Sequence, residues 1–356
     1  MSDRPAVGGP DGRATGPDRA GDQPPDPNRN PSRGATHLGH VLGVDLGGTK
    51  VRAALAAPDG SILAELVEPT AKGPGEAIVA QVANALATLC ARAGVAPADV
   101  RAAGLAVPVA IDPPTGATWS TQNVPGLAGL DAAGAFERAL GMPVAIDNDG
   151  NSAALGEGRA GTAVGVADFV VIVLGTGIGS GVVAGGRLVH GARGGAGEIA
   201  YLPIGTDPWD ERNRAGGTFE TAVAGPAIRA RVDAAVRAGT PTVLRPGARL
   251  DEVARAAAAC DAVASRLLDE EARLIALGIA ALAAVLDPEL VVLSGGVGVV
   301  PGLLEPVRGH VATLTERSPA VATGVLGDRA PLVGAVGLAL ELAERVGRRR
   351  VSRRWG

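Results

Sequence analysis

Hydrophobic and polar residues follow two periodicities along most of the chain, from about residue 41 to residue 346. Short apolar runs rich in Val, Leu and Ala, bounded by Gly, Pro or Asp, predict β-strands. Longer stretches with apolar residues three or four positions apart predict amphipathic helices. Because the two kinds of segment alternate, the pattern predicts an α/β fold.

The same order of elements occurs twice: strand, glycine turn, strand, turn, strand. The first half is predicted to contain a helix at 76–93 and strands at 41–46, 51–56, 62–66, 102–107 and 143–146. The second half is predicted to contain strands at 169–174, 181–184, 187–190 and 290–293 and helices at 218–236, 250–286 (broken near Cys260), 302–315 and 332–346. We therefore expect two similar α/β halves with a cleft between them.

The composition narrows the class of protein. Hydrophobic residues make up 46% and charged residues 20% of the chain, an ordinary balance for a globular protein. The formal net charge of -4 offers no basic surface for nucleic acid or an anionic membrane. No apolar run typical of a signal peptide opens the chain, and the most apolar helix, at 274–286, is shorter than the ~20 residues that span a bilayer. These features predict a cytoplasmic protein without nucleic-acid or membrane partners.

The two ends and the two cysteines carry weaker signals. Residues 1–40 are rich in Pro, Gly, Asp and Arg without apolar periodicity, which predicts a disordered tail. Residues 347–356 form a basic stretch that is predicted to be a solvated tail. Cys90 and Cys260 lie in apolar helical contexts, so we expect both to be small core residues in a reducing compartment.

The sequence GVDLGGTK at 43–50 places a glycine turn between two strands. Glycines expose backbone N–H groups and let a phosphate approach closely. Asp45 is a candidate for holding Mg²⁺ through water, and Thr49 and Lys50 are candidates for steering the phosphate. A simple hairpin turn is the alternative. The segment is not a Walker A loop, which has a longer glycine spacing and a following helix.

A second glycine-rich turn, LGTGIGSG at 174–181, follows a strand at the matching place in the second half. Two such turns can bind one triphosphate from both sides. The pair is therefore a more specific signal of a nucleotide site than either turn alone. Two glycine patterns of the dinucleotide-binding type, at 156–161 and 195–200, are rejected. The first ends a predicted helix and the second lacks a preceding buried strand.

Polar side chains follow the predicted strand at 143–146, where Asp147-Asn148-Asp149 begins a helix. A carboxylate at this edge of an α/β sheet can orient a sugar hydroxyl and accept its proton. Asp and Asn are also the preferred N-cap residues, so one of the three can have only that role. Glu198 and Glu220 are further candidates for hydroxyl contacts, although Glu220 also suits the first turn of a helix.

Three more positions are candidates with a structural alternative. Asn123 is either a turn residue or a hydroxyl contact. Gly295 and Gly296 follow the buried strand at 290–293, where small residues would let an adenine lie against the backbone, or form a structural turn. His190, beside a glycine turn, is predicted to be a surface or structural residue.

Together these segments resemble the ROK family of bacterial sugar kinases, within the hexokinase–actin superfamily. The similarity runs in order through about residues 41–345 and covers VLGVDLGGTKVRAAL, STQNVPGL, VAIDNDGNSAALGEGRAG, VIVLGTGIGSGVVAGGRLVHGARGGAGEI and DPELVVLSGGVG. It implies two RNase H-like domains that close over sugar and ATP–Mg²⁺. The N-terminal domain would span 41–147, completed by the helix at 332–346, and the C-terminal domain 148–331. A homodimer is also implied.

The resemblance implies a role for each candidate by matched position. Asp149 takes the position of the catalytic base. The implied sugar contacts are Asn123, Asn148, Glu198 and Glu220. The implied nucleotide contacts are Asp45, Gly47, Gly48, Thr49 and Lys50 at the first turn, Thr176 and Gly177 at the second, and Gly295 and Gly296 for adenosine.

Two departures from the family pattern concern the sugar end of the site. The family's Gly-Glu-Ile-Gly-His carries a histidine that contacts sugar and helps to bind a structural zinc; here Tyr201 takes its place and can offer a hydroxyl to a sugar. The cysteine-rich zinc loop is replaced by TDPWDERNRAGG at 206–217. Because thiolate ligands are missing, we expect no structural zinc.

The expected function is phosphorylation of a hexose by ATP, most simply glucose at its 6-hydroxyl. N-acetylglucosamine, N-acetylmannosamine, mannose and fructose remain alternative acceptors, and polyphosphate an alternative donor. A sugar-responsive transcriptional regulator is a rival from another class, but the 40 residues before the first strand are too short and too rich in Pro and Gly for a helix-turn-helix. A sugar-binding protein without catalysis is the third hypothesis, and Asp149 and both glycine turns argue against it.

Overall fold

The computed structural model describes residues 39–111, 118–119, 124–127 and 130–352. The strands, in chain order, are β1 (His40–Leu46), β2 (Lys50–Ala56), β3 (Ile62–Pro69), β4 (Val100–Val107), β5 (Ala110–Ile111), β6 (Thr118–Trp119), β7 (Val144–Asn148), β8 (Phe169–Leu174), β9 (Ile178–Ala184), β10 (Arg187–Leu188), β11 (Leu290–Ser294) and β12 (Ala320–Thr323). The helices are α1 (Gly75–Ala93), α2 (Ala132–Leu140), α3 (Asp149–Ala160), α4 (Glu211–Gly216), α5 (Glu220–Val223), α6 (Gly225–Arg237), α7 (Leu250–Ala258), α8 (Ala262–Leu286), α9 (Gly295–Gly298), α10 (Leu304–Leu314) and α11 (Ala330–Ser352).

Two five-stranded sheets share one topology. The first sheet has the order β3-β2-β1-β4-β7 and the second has the order β10-β9-β8-β11-β12. In each sheet the first three strands along the chain form an antiparallel meander. The last two strands lie parallel to β1 in the first sheet and to β8 in the second. The repeat of elements that the sequence predicted is therefore a repeat of the whole sheet. It places the turn after β1 and the turn after β8 at equivalent edges.

Both sheets are covered by helices on their two faces. Side chains of α1 and α2 pack on one face of the first sheet, and α11 packs on the other. In the second sheet α3 covers one face and the helices from α5 to α10 cover the other. The helices α3 and α11 lie between the two sheets and contact each other along their length. The start of α3 is therefore held at the junction of the two sheets.

Two of the predicted helices are interrupted. The helix predicted at 218–236 consists of α5 and α6, because Ala224 is extended (ψ 160°) and Gly225-Pro226 starts a new helix. The predicted break near Cys260 is present, since Cys260 has a φ of 64° between α7 and α8. Cys90 is buried as expected, but the expectation of a core position is wrong for Cys260, which is exposed because it stands in this turn.

Other differences follow from weak or misleading local patterns. The sequence prediction missed α2, α4 and β12, which have only 9, 6 and 4 residues. The strand predicted at 181–184 begins at Ile178, because backbone pairing with β8 continues through glycines that carry no hydrophobic signal. The last helix continues to Ser352 instead of ending near 346.

Several predictions remain predictions. Of the tails predicted at 1–40 and 347–356, residues 1–38 and 353–356 lie outside the described residues, whereas His40 belongs to β1 and residues 347–352 belong to α11. The domain boundaries at 147, 148 and 331 are not tested by the sheet assignment. Among the described residues, no helix combines the length and the apolar character needed to cross a bilayer.

Candidate active site

The first glycine turn joins β1 to β2 through residues 46–50 and is called the first turn below. It is closed by a hydrogen bond from Gly47 N to Lys50 O (2.9 Å). Thr70, just after β3, supports it twice: its hydroxyl donates to Gly47 O (2.6 Å) and its N–H donates to Thr49 O (3.1 Å). Gly48 and Thr49 are exposed, so the outer side of this turn is open to a ligand.

The second glycine turn joins β8 to β9 through residues 174–178 and is called the second turn. It is closed by Gly175 N donating to Gly177 O (2.9 Å). Ile178 N donates to Glu220 Oε2 (2.9 Å), and Gly225 N at the start of α6 donates to Gly175 O (2.9 Å). The break between α5 and α6 therefore has a structural role, because it frees the N–H of Gly225 for this bond.

Asp149 is the first residue of α3 and lies beside the second turn. Its Oδ1 atom is 3.9 Å from the position that a Cβ atom would take on Gly179. Asn148 is the N-cap: its Oδ1 accepts hydrogen bonds from Gly150 N (2.8 Å) and Asn151 N (3.4 Å), and its Nδ2 donates to Val109 O (3.2 Å). The capping role considered from the sequence is thus confirmed for Asn148, which fixes the direction of the Asp149 side chain.

The predicted sugar-end residues come from two short elements of the second half. Glu198 precedes a 3-10 turn at Ile199–Tyr201 and is half-buried. Glu220 begins α5, next to the buried ring of Phe219. The Tyr201 side chain is 45% exposed, which leaves its hydroxyl accessible at the rim. Asn123 lies outside the described residues.

Four carboxyl groups in this region have raised pKa values, and carboxylates of the same group contribute to two of these shifts. Burial raises the pKa of Asp149 to about 6, and the nearby negative charge of Asp45 raises it further. Burial also raises the pKa of Asp45 to about 6, against the lowering effect of Lys50 and Arg52. The pKa of Glu198 is raised by burial and by the charges of Asp149 and Glu220.

Burial raises the pKa of Glu220 as well, opposed by the hydrogen bond from Ile178 N. Carboxylates that are buried close together lose hydration and repel one another. A bound cation, or a hydroxyl group that donates a hydrogen bond, therefore stabilises each of them. The cluster of Asp45, Asp149, Glu198 and Glu220 is therefore suited to bind a metal ion at one end and a polyol at the other.

The segment after β11 offers an open backbone surface. Gly295 has a φ of 76° and packs against the carbonyl of Leu174, so a side chain at this position would be strained and would clash. Gly296 is exposed, and no other atom lies within 4 Å of the place where its Cβ would be. This geometry allows a flat ligand to lie directly against the chain.

The sequence analysis missed a network of ion pairs beside the first turn. Asp328 accepts from Lys50 Nζ (3.1 Å) and from Arg52 (2.6 Å), and Glu65 accepts from Arg329 (2.6 Å). Asp328 comes from the segment before α11, far from the turn in sequence, so no local pattern could have indicated it. The described residues contain no group of three or more His, Cys, Asp or Glu side chains arranged to hold a metal ion by themselves.

Comparisons with known proteins show the family and the fold of the chain. A sequence profile of the ROK family matches residues 41–342. The chain belongs to the ROK family. It spans about half the length of the curated relatives it matches; the glucokinase of Halalkalibacterium halodurans is 35% identical over 164 residues, which are 46% of this chain and 49% of the relative.

Solved structures align with a larger part of this chain than the curated relatives do. The ROK hexokinase from Thermus thermophilus has 33% identity and a TM-score of 0.72, covering 86% of this chain and 99% of its own. A ROK family glucokinase from Streptomyces griseus, in complex with glucose and AMPPNP, has 29% identity and a TM-score of 0.69, covering 85% and 100%. The fold is therefore the actin/hexokinase-type α/β fold with two sheets, as the resemblance implied.

Proposed function

We propose that this ROK chain is an ATP-dependent hexose kinase that phosphorylates glucose at its 6-hydroxyl. The observation that carries the proposal is the position of Asp149, next to the second turn and within electrostatic reach of Asp45 and Glu198. A carboxylate with a pKa near 6 is ionised at neutral pH and is basic enough to accept a hydroxyl proton. The glucose-bound and AMPPNP-bound relative supports this choice of acceptor and donor.

The proposed reaction assigns each group a step. Asp149 accepts the proton of the sugar hydroxyl while that oxygen attacks the γ-phosphorus of ATP. The bond between the γ-phosphorus and the bridging oxygen breaks, and ADP leaves. Asn148, Glu198 and Glu220 hold the other sugar hydroxyls, and the backbone N–H groups of the two turns hold the phosphates. Gly295 and Gly296 provide the surface for adenosine.

The donor set is suited to magnesium. Asp45 offers a half-buried carboxylate at the end of β1, and oxygen ligands and retained water are what Mg²⁺ prefers. When bound with ATP, the ion supplies positive charge that offsets the charge of the phosphate oxygens. Asp45 would hold the ion through its water ligands. The homodimer, the cytoplasmic location and the absence of zinc stay predictions.

Tyr201 changes the chemistry at the sugar end, because a phenol replaces the imidazole of the family pattern. Glucose, mannose, fructose, N-acetylglucosamine and N-acetylmannosamine should therefore be assayed together, with ATP and polyphosphate as donors. We expect glucose with ATP to give the highest kcat/KM. A higher value for another sugar would move the substrate but keep the mechanism.

The base is tested with Asp149→Asn in a coupled assay of ADP release. Removing a general base should lower kcat about 10²–10⁴-fold with little change in the KM for ATP. A kcat within about threefold of the wild type would contradict the assignment.

The same variant carries its own folding control. Burial raises the pKa of Asp149, so its ionisation costs stability at pH 7, where Asn removes that cost. Asp149→Asn should therefore unfold at a slightly higher temperature than the wild type at pH 7. The difference should shrink as the pH falls below about 6, and it should vanish only below the ordinary aspartate pKa of 3.8, where the carboxyl is protonated in both states.

A further inference from the structure

One hydrogen bond joins the two parts of the chain that carry the proposed base and a proposed sugar contact. His190 Nε2 lies 2.7 Å from Asp147 Oδ2. Asp147 belongs to β7 of the first sheet, and His190 follows β10 of the second sheet. The side chains are 43 positions apart in sequence. The contact therefore connects the two sheets, and we call this His190–Asp147 hydrogen bond the brace.

Asp147 is held firmly on its own side of the brace. It is 7% exposed, and its Oδ1 accepts hydrogen bonds from Asn148 N (2.8 Å) and Asn151 Nδ2 (2.8 Å). These bonds leave Oδ2 to face His190. Since Asn148 and Asp149 follow directly in the chain, a shift of Asp147 moves the N-cap and the first residue of α3.

His190 begins the loop that ends at Glu198. Its carbonyl accepts a hydrogen bond from Ala196 N (3.1 Å), and Ser180 Oγ donates to Gly197 O (2.7 Å). The loop is thus tied to His190 at one end and to β9 at the other, immediately before Glu198. A change at His190 is transmitted to Glu198 through a short, hydrogen-bonded segment.

We propose that His190 is a positioning residue of the kinase site, which sets the distance between the Asn148–Asp149 segment and Glu198 through its hydrogen bond to Asp147. This inference rests on the proposed function, because Asp149 and Glu198 act there as base and sugar contact. His190 does not touch the reacting atoms. Its hydrogen bond to Asp147 raises the pKa of the imidazole, which favours the form that donates from both ring nitrogens.

A second histidine–aspartate pair provides a matched control. His310 Nε2 lies 2.7 Å from Asp269 Oδ1, between α10 and α8 and away from the site. The two pairs have the same atoms and the same length, but only the first one joins the two sheets. Any effect that comes merely from losing a histidine–aspartate hydrogen bond should therefore appear in both.

The kinetic test compares His190→Leu, His190→Gln and His310→Leu in the full chain. His190→Leu should lower kcat/KM for the sugar about 10-fold or more, because small displacements of positioned groups are costly, while the KM for ATP stays within about twofold. His190→Gln keeps a donor near the Nε2 position and should recover the activity to within about threefold. His310→Leu should leave all parameters within about twofold of the wild type.

Thermal melting separates positioning from folding. The proposal is overturned if His190→Leu matches His310→Leu in kinetics, or if His190→Gln is as impaired as His190→Leu. It is also overturned if the loss of activity parallels a loss of melting temperature across the three variants, since that pattern is what a purely structural ion pair produces.

An activity-independent measurement keeps this test apart from the test of the kinase itself. The chain has four histidines, so imidazole NMR can follow each titration. The pKa of His190 should fall in Asp147→Asn. If the wild type phosphorylates no sugar, the proposed function fails, while this titration still reports whether the brace exists. If the wild type is active and His190→Leu is too, the brace has no positioning role and the kinase proposal stands.

Discussion

The first and second turns have the same place in their sheets but different supports. The first turn is held by Thr70, which follows β3, and by ion pairs of Lys50 and Arg52 with Asp328. The side chains of Lys50 and Asp328 are 45% and 61% exposed, whereas that of Arg52 is 11% exposed, so this network lies partly at the surface. The second turn is held by Glu220 and by the N–H of Gly225, both from helices packed on the core.

The residues that hold Glu220 in place pack into the hydrophobic core of the second half. The neighbouring Phe219 is buried, and its ring packs directly on Gly278 of α8. Arg231 of α6 donates to the carbonyl of Ala222 in α5 and pairs with Glu271, which is completely buried. The second turn is therefore connected to the hydrophobic core through α5.

The first turn and the second turn therefore differ in the residues that support them and in their link to the sugar end of the site. Glu220 is both a proposed sugar contact and the acceptor for the N–H of Ile178 in the second turn. A sugar that contacts Glu220 therefore acts on a group that shapes the second turn. No comparable side chain joins the first turn to the sugar end among the described residues, so coupling between sugar and phosphate is expected through the second turn.

The largest expected effect comes from removing the buried support behind the second turn. Arg231→Met leaves the buried carboxyl of Glu271 without its hydrogen-bond partner, which should cost about 1–3 kcal/mol of unfolding free energy. Burial raises the pKa of Glu271 to about 8, so this carboxyl is largely protonated at pH 7, where denaturant unfolding measures the loss. Adding Glu271→Leu should recover most of it, because an apolar side chain leaves no buried polar group unpaired. If the double variant is as unstable as Arg231→Met, the contact with Glu271 is not the cause.

The next largest effect is expected from crowding the second turn. A Cβ on Gly177 would lie 2.5 Å from Glu220 Oε2, so Gly177→Ala should displace this carboxylate and lower kcat/KM for the sugar about 100-fold. Gly47→Ala is the matched change in the first turn, where the new Cβ would meet only Lys50 O at 3.1 Å. It should lower kcat/KM by about tenfold or less. Equal losses in steady-state kinetics would remove the distinction between the turns.

A smaller effect concerns pH and involves groups near both turns. Burial raises the pKa of Asp45 and of Asp149 to about 6, and both groups must be ionised for metal binding and base catalysis, so kcat/KM should rise with pH and level off above about 6. Lys50→Met removes a cation that lowers the pKa of Asp45, which should shift the acid limb upward. Glu305→Gln, a change in an exposed ion pair of α10, should leave the pH profile unchanged. A flat profile between pH 5 and 7 would exclude these carboxylates as the titrating groups.

The smallest effect is expected at the surface of the first turn. Asp328→Asn removes ion pairs to Lys50 and Arg52 that are partly exposed, and should cost at most about 1 kcal/mol of stability. The difference from the wild type should decrease in high salt, because exposed charges are screened. A loss comparable to that of Arg231→Met would show that the first turn depends on this network as strongly as the second depends on its core contacts.

The sequence by itself determined the features that depend on neighbouring residues. The doubled order of strands, the two glycine turns and the helix start at Asn148 follow from local apolar periodicity and from the conformations open to glycine, Asn and Asp. Most predicted strands and helices agree with the structure within a few residues. The misses are instructive, since α2 and β12 are short and Cys260 occupies a turn between apolar helices.

Only the tertiary structure decided which distant groups meet. Lys50 and Asp328 are 278 positions apart, Ile178 and Glu220 42, and Asp147 and His190 43. A periodic pattern reports which side of an element is buried, but it does not report which other element covers that side. The raised pKa values of Asp45 and Asp149 likewise depend on burial and on charges brought close by folding, which no spacing in the sequence encodes.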